Sequence, residues 1–471
     1  MCLIEEGFHL TSSVTSVLNK PSRVRWMIFV LACLASGINY LHRYSWGAVR
    51  PYLQEEYGLK DGQMGWLDGA FNLTYFLGQF PGGLAGDFLG PRLVIPIVAA
   101  LWSTVVFLPT FFSSFRNLYV ARLLFGAVQA PAYPNLGKVT QSWFPLSVRT
   151  SVQGAVSSFA GRAGAALAPV VIATLLIGIV GLSWQNSLRT VAALGFVFAG
   201  AFWFLFRNRP AEHPWANPAE AALIESDMEQ SEEPFPEESS TDASSVDDDS
   251  SSSGKEARFH WSAANRLNVG IFFAASFCSS FADNLFVFWM PTFLAIEKGL
   301  DPIQMGLWAS LPLLGGALGG LFGGFLNDAL IHRTGNRRRA RRIVASTGKI
   351  VATVLIGVSL IPDDGRIIMV ILFCCKFFSD WSQPTWWGTV TDIGGPAAGR
   401  VFGMVNTVGS CGAFAAGPAM GYVKEYFGWT ALFLFVACVY ILTAIFWSRV
   451  DCTRKLVVTK GTEPQEPSNN D

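Results

Sequence analysis

Arg43 stands in the run Asn39-Tyr40-Leu41-His42-Arg43-Tyr44, inside an apolar stretch that extends from about Trp26 to Val49. A guanidinium keeps its charge in any protein environment, and at the centre of a membrane helix that charge costs about 2.5–3.5 kcal/mol on insertion scales. Such a cost is tolerated where the charge faces a wet cavity and an anion. Snorkelling to the interface and a structural ion pair are the plainer readings. The stretch begins far enough upstream to set Arg43 well inside it, which favours an anion contact.

Other polar residues in apolar stretches fall on common helix faces. Arg122, Gly126, Gln129 and Tyr133 are spaced at 0, +4, +7 and +11, and Lys376, Asp380, Gln383 and Trp387 at the same intervals. Each set therefore forms one stripe of a helix. Arg122 reads as a second anion contact or an electrostatic brace. Arg162, close to Gly161 and Gly164, reads either way, as an anion contact or a packing residue. Lys376 and Asp380 are an ion-coupling pair or a pair that merely neutralises itself. Asp283 has no opposite charge within a helical turn of its own sequence. Tyr44, Asn284, Trp289, Trp386 and Trp387 add aromatic faces and amide donors suited to a hydroxylated or ring-bearing carboxylate. For any single aromatic, packing against lipid is the ordinary alternative.

The elements that carry these residues follow from composition. Hydrophobic residues make up 51% of the 471-residue chain and charged ones 14%, with 46 Gly, 38 Phe and 16 Trp; the mean hydropathy is +0.36. This is an integral, multi-pass membrane composition, with small residues for close helix packing and aromatics for the interfaces. The formal net charge of zero conceals segregation, because acids crowd 208–260 and six arginines lie between His332 and Arg342. Apolar runs of about 20 residues match a hydrocarbon layer roughly 30 Å thick. They are expected near 26–49, 64–84, 93–113, 118–142, 151–179 and 188–207, then near 266–295, 305–327, 343–361, 367–390, 400–423 and 429–447. The fold class expected is all-α, twelve transmembrane helices in two pseudo-symmetric bundles of six.

The corresponding division is a tail over 1–23, a bundle over 24–207, a linker over 208–265, a second bundle over 266–447 and a tail over 448–471. The linker is rich in Ser, Asp and Glu, which predicts disorder for most of it, with a short surface helix expected over 219–228. Without a small-residue cleavage site behind it, the first helix reads as retained rather than as a signal peptide. Arg23 and Arg25 precede that helix. The arginines between the eighth and ninth helices, and Arg449, Arg454 and Lys455 after the last, fall on the same side. The positive-inside rule then puts both termini and the linker in the cytoplasm, with the plasma (inner) membrane expected. Eight cysteines show no disulfide or zinc spacing. No phosphate loop, metal set or nucleophile constellation points to an enzyme, a cofactor or a nucleic-acid partner. A monomer is expected.

The link between the second and third helices reads Gly83-Leu84-Ala85-Gly86-Asp87-Phe88-Leu89-Gly90-Pro91-Arg92, and Gly324 to Asp328 stands at the corresponding place of the second half. Gly83, Asp87, Gly90, Arg92, Gly324 and Asp328 are therefore candidate gating residues. The glycines permit close helix approach, and the acid can meet a helix N-terminus or an arginine across the interface between halves.

With these features the chain resembles the major facilitator superfamily, and within it the anion:cation symporter family. The segments that carry the likeness are Asn39-Tyr40 with Arg43, Tyr75 with Gln79-Phe80-Pro81-Gly82-Gly83, Arg122 with Gly126, Trp143-Phe144-Pro145, Trp289-Met290-Pro291-Thr292-Phe293, Thr391-Asp392, and Gly403 with Asn406. The resemblance implies alternating access around a central cavity and transport of sugar acids or other small carboxylates, with Arg43 on the substrate carboxylate. It also makes Tyr75, Gln79, Gln129 and Asn406 candidate cavity residues.

The departures are as informative. Proton-coupled relatives carry an Asp where this chain has His42 and a Glu where it has Gln129; Phe88, Pro91 and Val148 also replace usual charged residues. With both usual carboxylates missing, three readings stand: an uncoupled facilitator, titration of His42, or a coupling site moved to Asp283, Lys376 and Asp380, with a proton or sodium ion as co-substrate. Organic-phosphate exchange is disfavoured because the seventh helix offers no arginine. A transporter-like nutrient sensor that binds its anion with little flux is the alternative from a different class.

Overall fold

The computed structural model describes residues 21–224, 258–259, 262–395 and 398–458. Within them the chain forms twelve rods. The first bundle comprises α1 (Val24–Tyr57), α2 (Asp61–Leu89), α3 (Pro91–Phe111), α4 (Phe115–Gln129, resumed as Ala132–Trp143), α5 (146–179) and α6 (Trp184–Leu205). The second comprises α7 (Ala263–Glu297), α8 (Pro302–Thr334), α9 (Arg337–Ser359), α10 (Gly365–Asp380, resumed as Gln383–Gly394), α11 (398–427) and α12 (429–449). Eight of the helical segments are long and apolar enough to cross a membrane by length and composition alone, α11 and α12 being one continuous run by that measure. The others are α2, which is rich in glycine and polar residues, and α4 and α10, which break in mid-course.

Local chemistry sets the ends of these rods. Ser114, Ser183, Ser262, Asp301, Asn336 and Asp364 each accept a backbone N–H in the first turn of the helix they precede, which satisfies donors that the helix itself leaves free. Gly428, at φ 77°, turns the chain between α11 and α12; that left-handed geometry is open to glycine at no steric cost. The first turn of α1 has no cap of its own. Its cap comes from the buried Glu220, whose carboxylate accepts from Val24 N at 3.3 Å, Arg25 N at 3.1 Å and the Ser22 hydroxyl. Residues 218–224 are helical. This is the described part of the short helix expected over 219–228, and it is docked onto α1 rather than lying free on the surface.

The expected spans required adjustment at their ends. The helix α1 runs eight residues past Val49, and the arginine cluster expected between the eighth and ninth helices is largely helical: Arg333 ends α8, Arg337 to Arg342 open α9, and only Gly335 and Asn336 lie between. Arg258–Phe259 pairs antiparallel with Val457–Val458, fastening the linker's end to the C-terminal segment. The acidic run expected to be disordered, 225–257, lies outside the described residues.

Contacts between the bundles concentrate toward one end. Lys424 in α11 pairs with Asp61 in α2 at 2.5 Å, the Glu425 carboxylate accepts from Gly62 N, and Asn72 donates to Ala413 O. Thr174 in α5 donates to Ile303 O of α8, and Arg50 in α1 donates to the Thr292 hydroxyl of α7. A Cβ on Gly65 would stand 2.2 Å from the carbonyl oxygen of Gly417, so the crossing of α2 and α11 requires glycine there.

Candidate transport site

Arg43 lies half-buried in α1. Its Nε donates to Gln129 Oε1 of α4 at 3.0 Å, and Gln129 Nε2 in turn donates to Asn39 O at 2.8 Å. The guanidinium carbon is 4.3 Å from the ring centre of Tyr75, 4.9 Å from Tyr40 and 5.0 Å from Phe71. Three rings therefore present their electron-rich faces to the cation. The Nη2 group has no hydrogen-bond partner, and no described carboxylate forms an ion pair with Arg43. Tyr44 stacks on Tyr40 with centroids 5.7 Å apart.

Arg122 shares the Phe71 ring with Arg43 but is otherwise enclosed. It is 3% exposed, donates Nε to Leu67 O at 3.1 Å, and lies 4.6 Å from the Trp46 ring. Of the two roles open to it, the geometry favours the brace. Beside it is a pair the sequence reading passed over: Arg50 and Asp68, both fully buried, 3.4 Å apart. Asp68 also accepts from Trp46 Nε1, and Arg50 lies 3.7 Å from the ring centre of Trp289. Arg50 escaped notice because it sits just beyond the apolar stretch that ended at Val49. Trp289, a candidate cavity residue, is fully buried between Arg50 and Trp429.

The second bundle brings Asp283 of α7 to Lys376 and Asp380 of α10. Lys376 Nζ donates to Asp283 at 2.7 Å and to Asp380 at 2.6 Å. From the first bundle, Arg162 of α5 reaches Asp380 at 2.8 Å and Gly316 O at 2.6 Å. Asp283, isolated in its own helix, thus acquires a cation from another. Lys349, which the sequence reading also missed, is buried behind this group and donates to the Ser279 and Ser379 hydroxyls. A cavity of about 150 Å³ lies against the cluster, bordered by Tyr40, Tyr44, Arg162, Asp283, Lys376, Asp380 and Gln383. Tyr40 therefore touches both this cavity and Arg43.

Other candidates are placed as follows. Asn406 donates to Gln79 at 3.0 Å, joining α11 to α2 across the bundle interface. Asn284 is turned to its own helix, donating to Ser280 O, and Trp386 donates to the Ser276 hydroxyl. Trp387 is half-exposed and stacked on Phe402. His42 is buried on a different face of α1 from Arg43, with Nε2 2.8 Å from Val191 O of α6 and its ring against Trp102. His42 is not among the residues that border the cavity beside Lys376.

At the end away from the closed contacts, Asp87 pairs with Lys138 of α4 at 2.6 Å, and Lys138 also donates to Gly83 O. The sequence left a helix N-terminus or an arginine across the interface open for Asp87; the charged partner it meets here is a lysine in its own bundle. Gly90 adopts φ 75°, and Arg92 N donates to Asn208 at 3.0 Å, tying the turn to the start of the linker. A Cβ on Gly324 would meet Pro384 at ordinary contact distance, 3.8 Å, and Asp328 accepts from the Asn327 amide at 3.4 Å. In the second bundle Arg341 of α9 pairs with Asp392 of α10 at 2.8 Å.

Two six-helix bundles around a polar, charge-lined interior define a membrane carrier. The Major Facilitator Superfamily model matches residues 29–417 and 272–468, and the chain belongs to that family. Similar proteins include the probable sulfoacetate transporter SauU of Cupriavidus necator, 27% identical over 86% of this chain and 89% of that one. The probable galactarate/D-glucarate transporter GudP of Bacillus subtilis is 28% identical over 88% and 89%. Among solved structures, an inward-facing, occupied bacterial homolog of the human lysosomal transporter Spinster superposes with a TM-score of 0.70 at 13% identity, covering 90% of this chain and 96% of that one. The nucleoside transporter NupG gives 0.64 at 14% identity, covering 89% and 98%. At such identities the structural likeness speaks to the fold alone.

Proposed function

We propose that this protein carries small organic anions, sugar acids or related carboxylates, across a membrane by alternating access, and that Arg43 engages the carboxylate. The observation that carries the reading is the state of Arg43: an interior guanidinium with an unpartnered Nη2, no carboxylate beside it and an aromatic cage around it. A cation so placed is suited to a carboxylate, and the names of the relatives from Cupriavidus necator and Bacillus subtilis agree with that chemistry. Tyr44, Tyr75, Gln79, Gln129 and Asn406 are the proposed pocket residues around it. Arg122 supports from behind.

Proton or sodium coupling would need a carboxylate that exchanges its partner during the cycle, and Asp283 and Asp380, both held by Lys376, are the candidates. The arginines at the start of α9 and after α12 favour an orientation with both termini in the cytoplasm of a plasma-membrane monomer. The closed end formed by α2 and α11 then faces outward. Uptake of labelled D-glucarate, D-galactonate and sulfoacetate into proteoliposomes preloaded with the same unlabelled anion, with and without imposed proton and sodium gradients, tests the proposal. Saturable entry of at least one anion is expected. Saturable binding without flux would instead support a sensor.

A further inference from the structure

We propose that the empty carrier does not reorient, so that the protein works as an obligate anion exchanger: it moves one carboxylate inward only against another outward. This rests on the reading of Arg43 as the carboxylate contact and adds to it the mode of transport. The described carboxylates among the helices around the site are the buried Asp68 and Asp380 and the partly buried Asp283, and each is already held. Asp68 has Arg50, Asp283 has Lys376, and Asp380 has both Lys376 and Arg162. None of them pairs with Arg43, whose surroundings are three aromatic rings and the Gln129 amide. These groups orient the guanidinium without cancelling its charge.

Alternating access takes the binding site through an occluded state in which both ends are shut and water is largely expelled. With a carboxylate bound, Arg43 enters that state with a countercharge beside it. With nothing bound, it enters as an uncompensated charge, which a low-dielectric interior strongly disfavours. Shedding the proton offers no escape, since arginine stays protonated, and no described carboxylate pairs with it to take over as partner when the substrate leaves. A freely returning facilitator and a proton symporter both require an empty carrier that returns, so both are disfavoured. The driving force is then the gradient of the exchanged anion.

The geometry also indicates how to undo the constraint. Gln129 Oε1 lies 3.0 Å from Arg43 Nε, so Gln129→Glu replaces the amide with a nearly isosteric carboxylate at pairing distance and supplies the missing countercharge.

The test uses the full chain in proteoliposomes loaded with labelled D-glucarate or D-galactonate, in chloride buffer, with the voltage clamped by potassium and valinomycin. Efflux is timed with and without the same unlabelled anion outside. For the native protein, outside anion should speed efflux by at least about tenfold, as expected when the alternative is an unpaired buried charge. In Gln129→Glu the net efflux should rise and the two rates converge. Net efflux in the native protein that matches exchange would overturn the proposal, as would accumulation into anion-free vesicles driven by a proton or sodium gradient. If neither anion moves in either mode, the carboxylate-carrier reading falls, and the exchange mechanism with it.

Discussion

Lys376 of α10 stands between Asp283 of α7 and Asp380 of its own helix, 2.7 and 2.6 Å from their carboxylates. One ammonium thus ties two helices of the second bundle, and Arg162 extends the group across to the first bundle through Asp380. Removing one charge from such a group has unequal effects according to which charge is lost.

Lys376→Met should strand Asp283, while Asp380 keeps Arg162, and destabilise the protein by about 3–5 kcal/mol, the cost of leaving an interior charge unpaired. Asp283→Asn leaves Lys376 with Asp380 and should cost markedly less. Thermal unfolding of the two variants in the same detergent measures the ordering. Equal loss would mean that Lys376 is not the shared partner.

Arg43→Ala should abolish anion uptake and leave folding almost unchanged, because it removes a charge that no carboxylate compensates. Arg43→Lys keeps the charge but shortens its reach and loses the planar fork, so uptake should remain well below the native level. Flux assays together with size-exclusion profiles of the purified variants decide this; normal uptake by Arg43→Ala would remove the residue from the site.

Gly65→Val should hinder the approach of α2 to α11, since even a Cβ there would come within 2.2 Å of Gly417 O. The expected result is a carrier that no longer closes at that end, with exchange reduced at least about tenfold if one close contact is worth 1.4 kcal/mol or more. Accessibility of a cysteine placed at Trp66 to an impermeant thiol reagent, in a background without its native cysteines, should rise in the same variant. No change in labelling would argue against a packing role for Gly65.

Deleting residues 230–255 should leave uptake close to native, since the described side chains around Arg43 and Lys376 all come from the membrane helices. The deletion keeps Glu220, which caps α1. An inactive but folded deletion variant would show that the acidic linker does more than connect the bundles.

The sequence by itself determined the membrane class, the twelve apolar runs divided by an acidic linker, and the suspicion attached to Arg43, because length, hydropathy and an out-of-place charge are all local properties. It also put Gln129 and Arg122 on one helix face, since helical spacing fixes direction around an axis. Tertiary structure decided the partners. Lys376 and Asp283 are 93 positions apart in the chain, and Lys349 carried no local sign of belonging with them. The sequence left Asp87 with either a helix N-terminus or an arginine across the interface, and packing supplied Lys138 of its own bundle. His42 and Arg43 are neighbours in the chain, yet successive residues on a helix point about 100° apart; one became a buried contact to α6 and the other faces the rings. Which charges meet depends on helices separated by long stretches of chain, and that is settled only when the bundles close on one another.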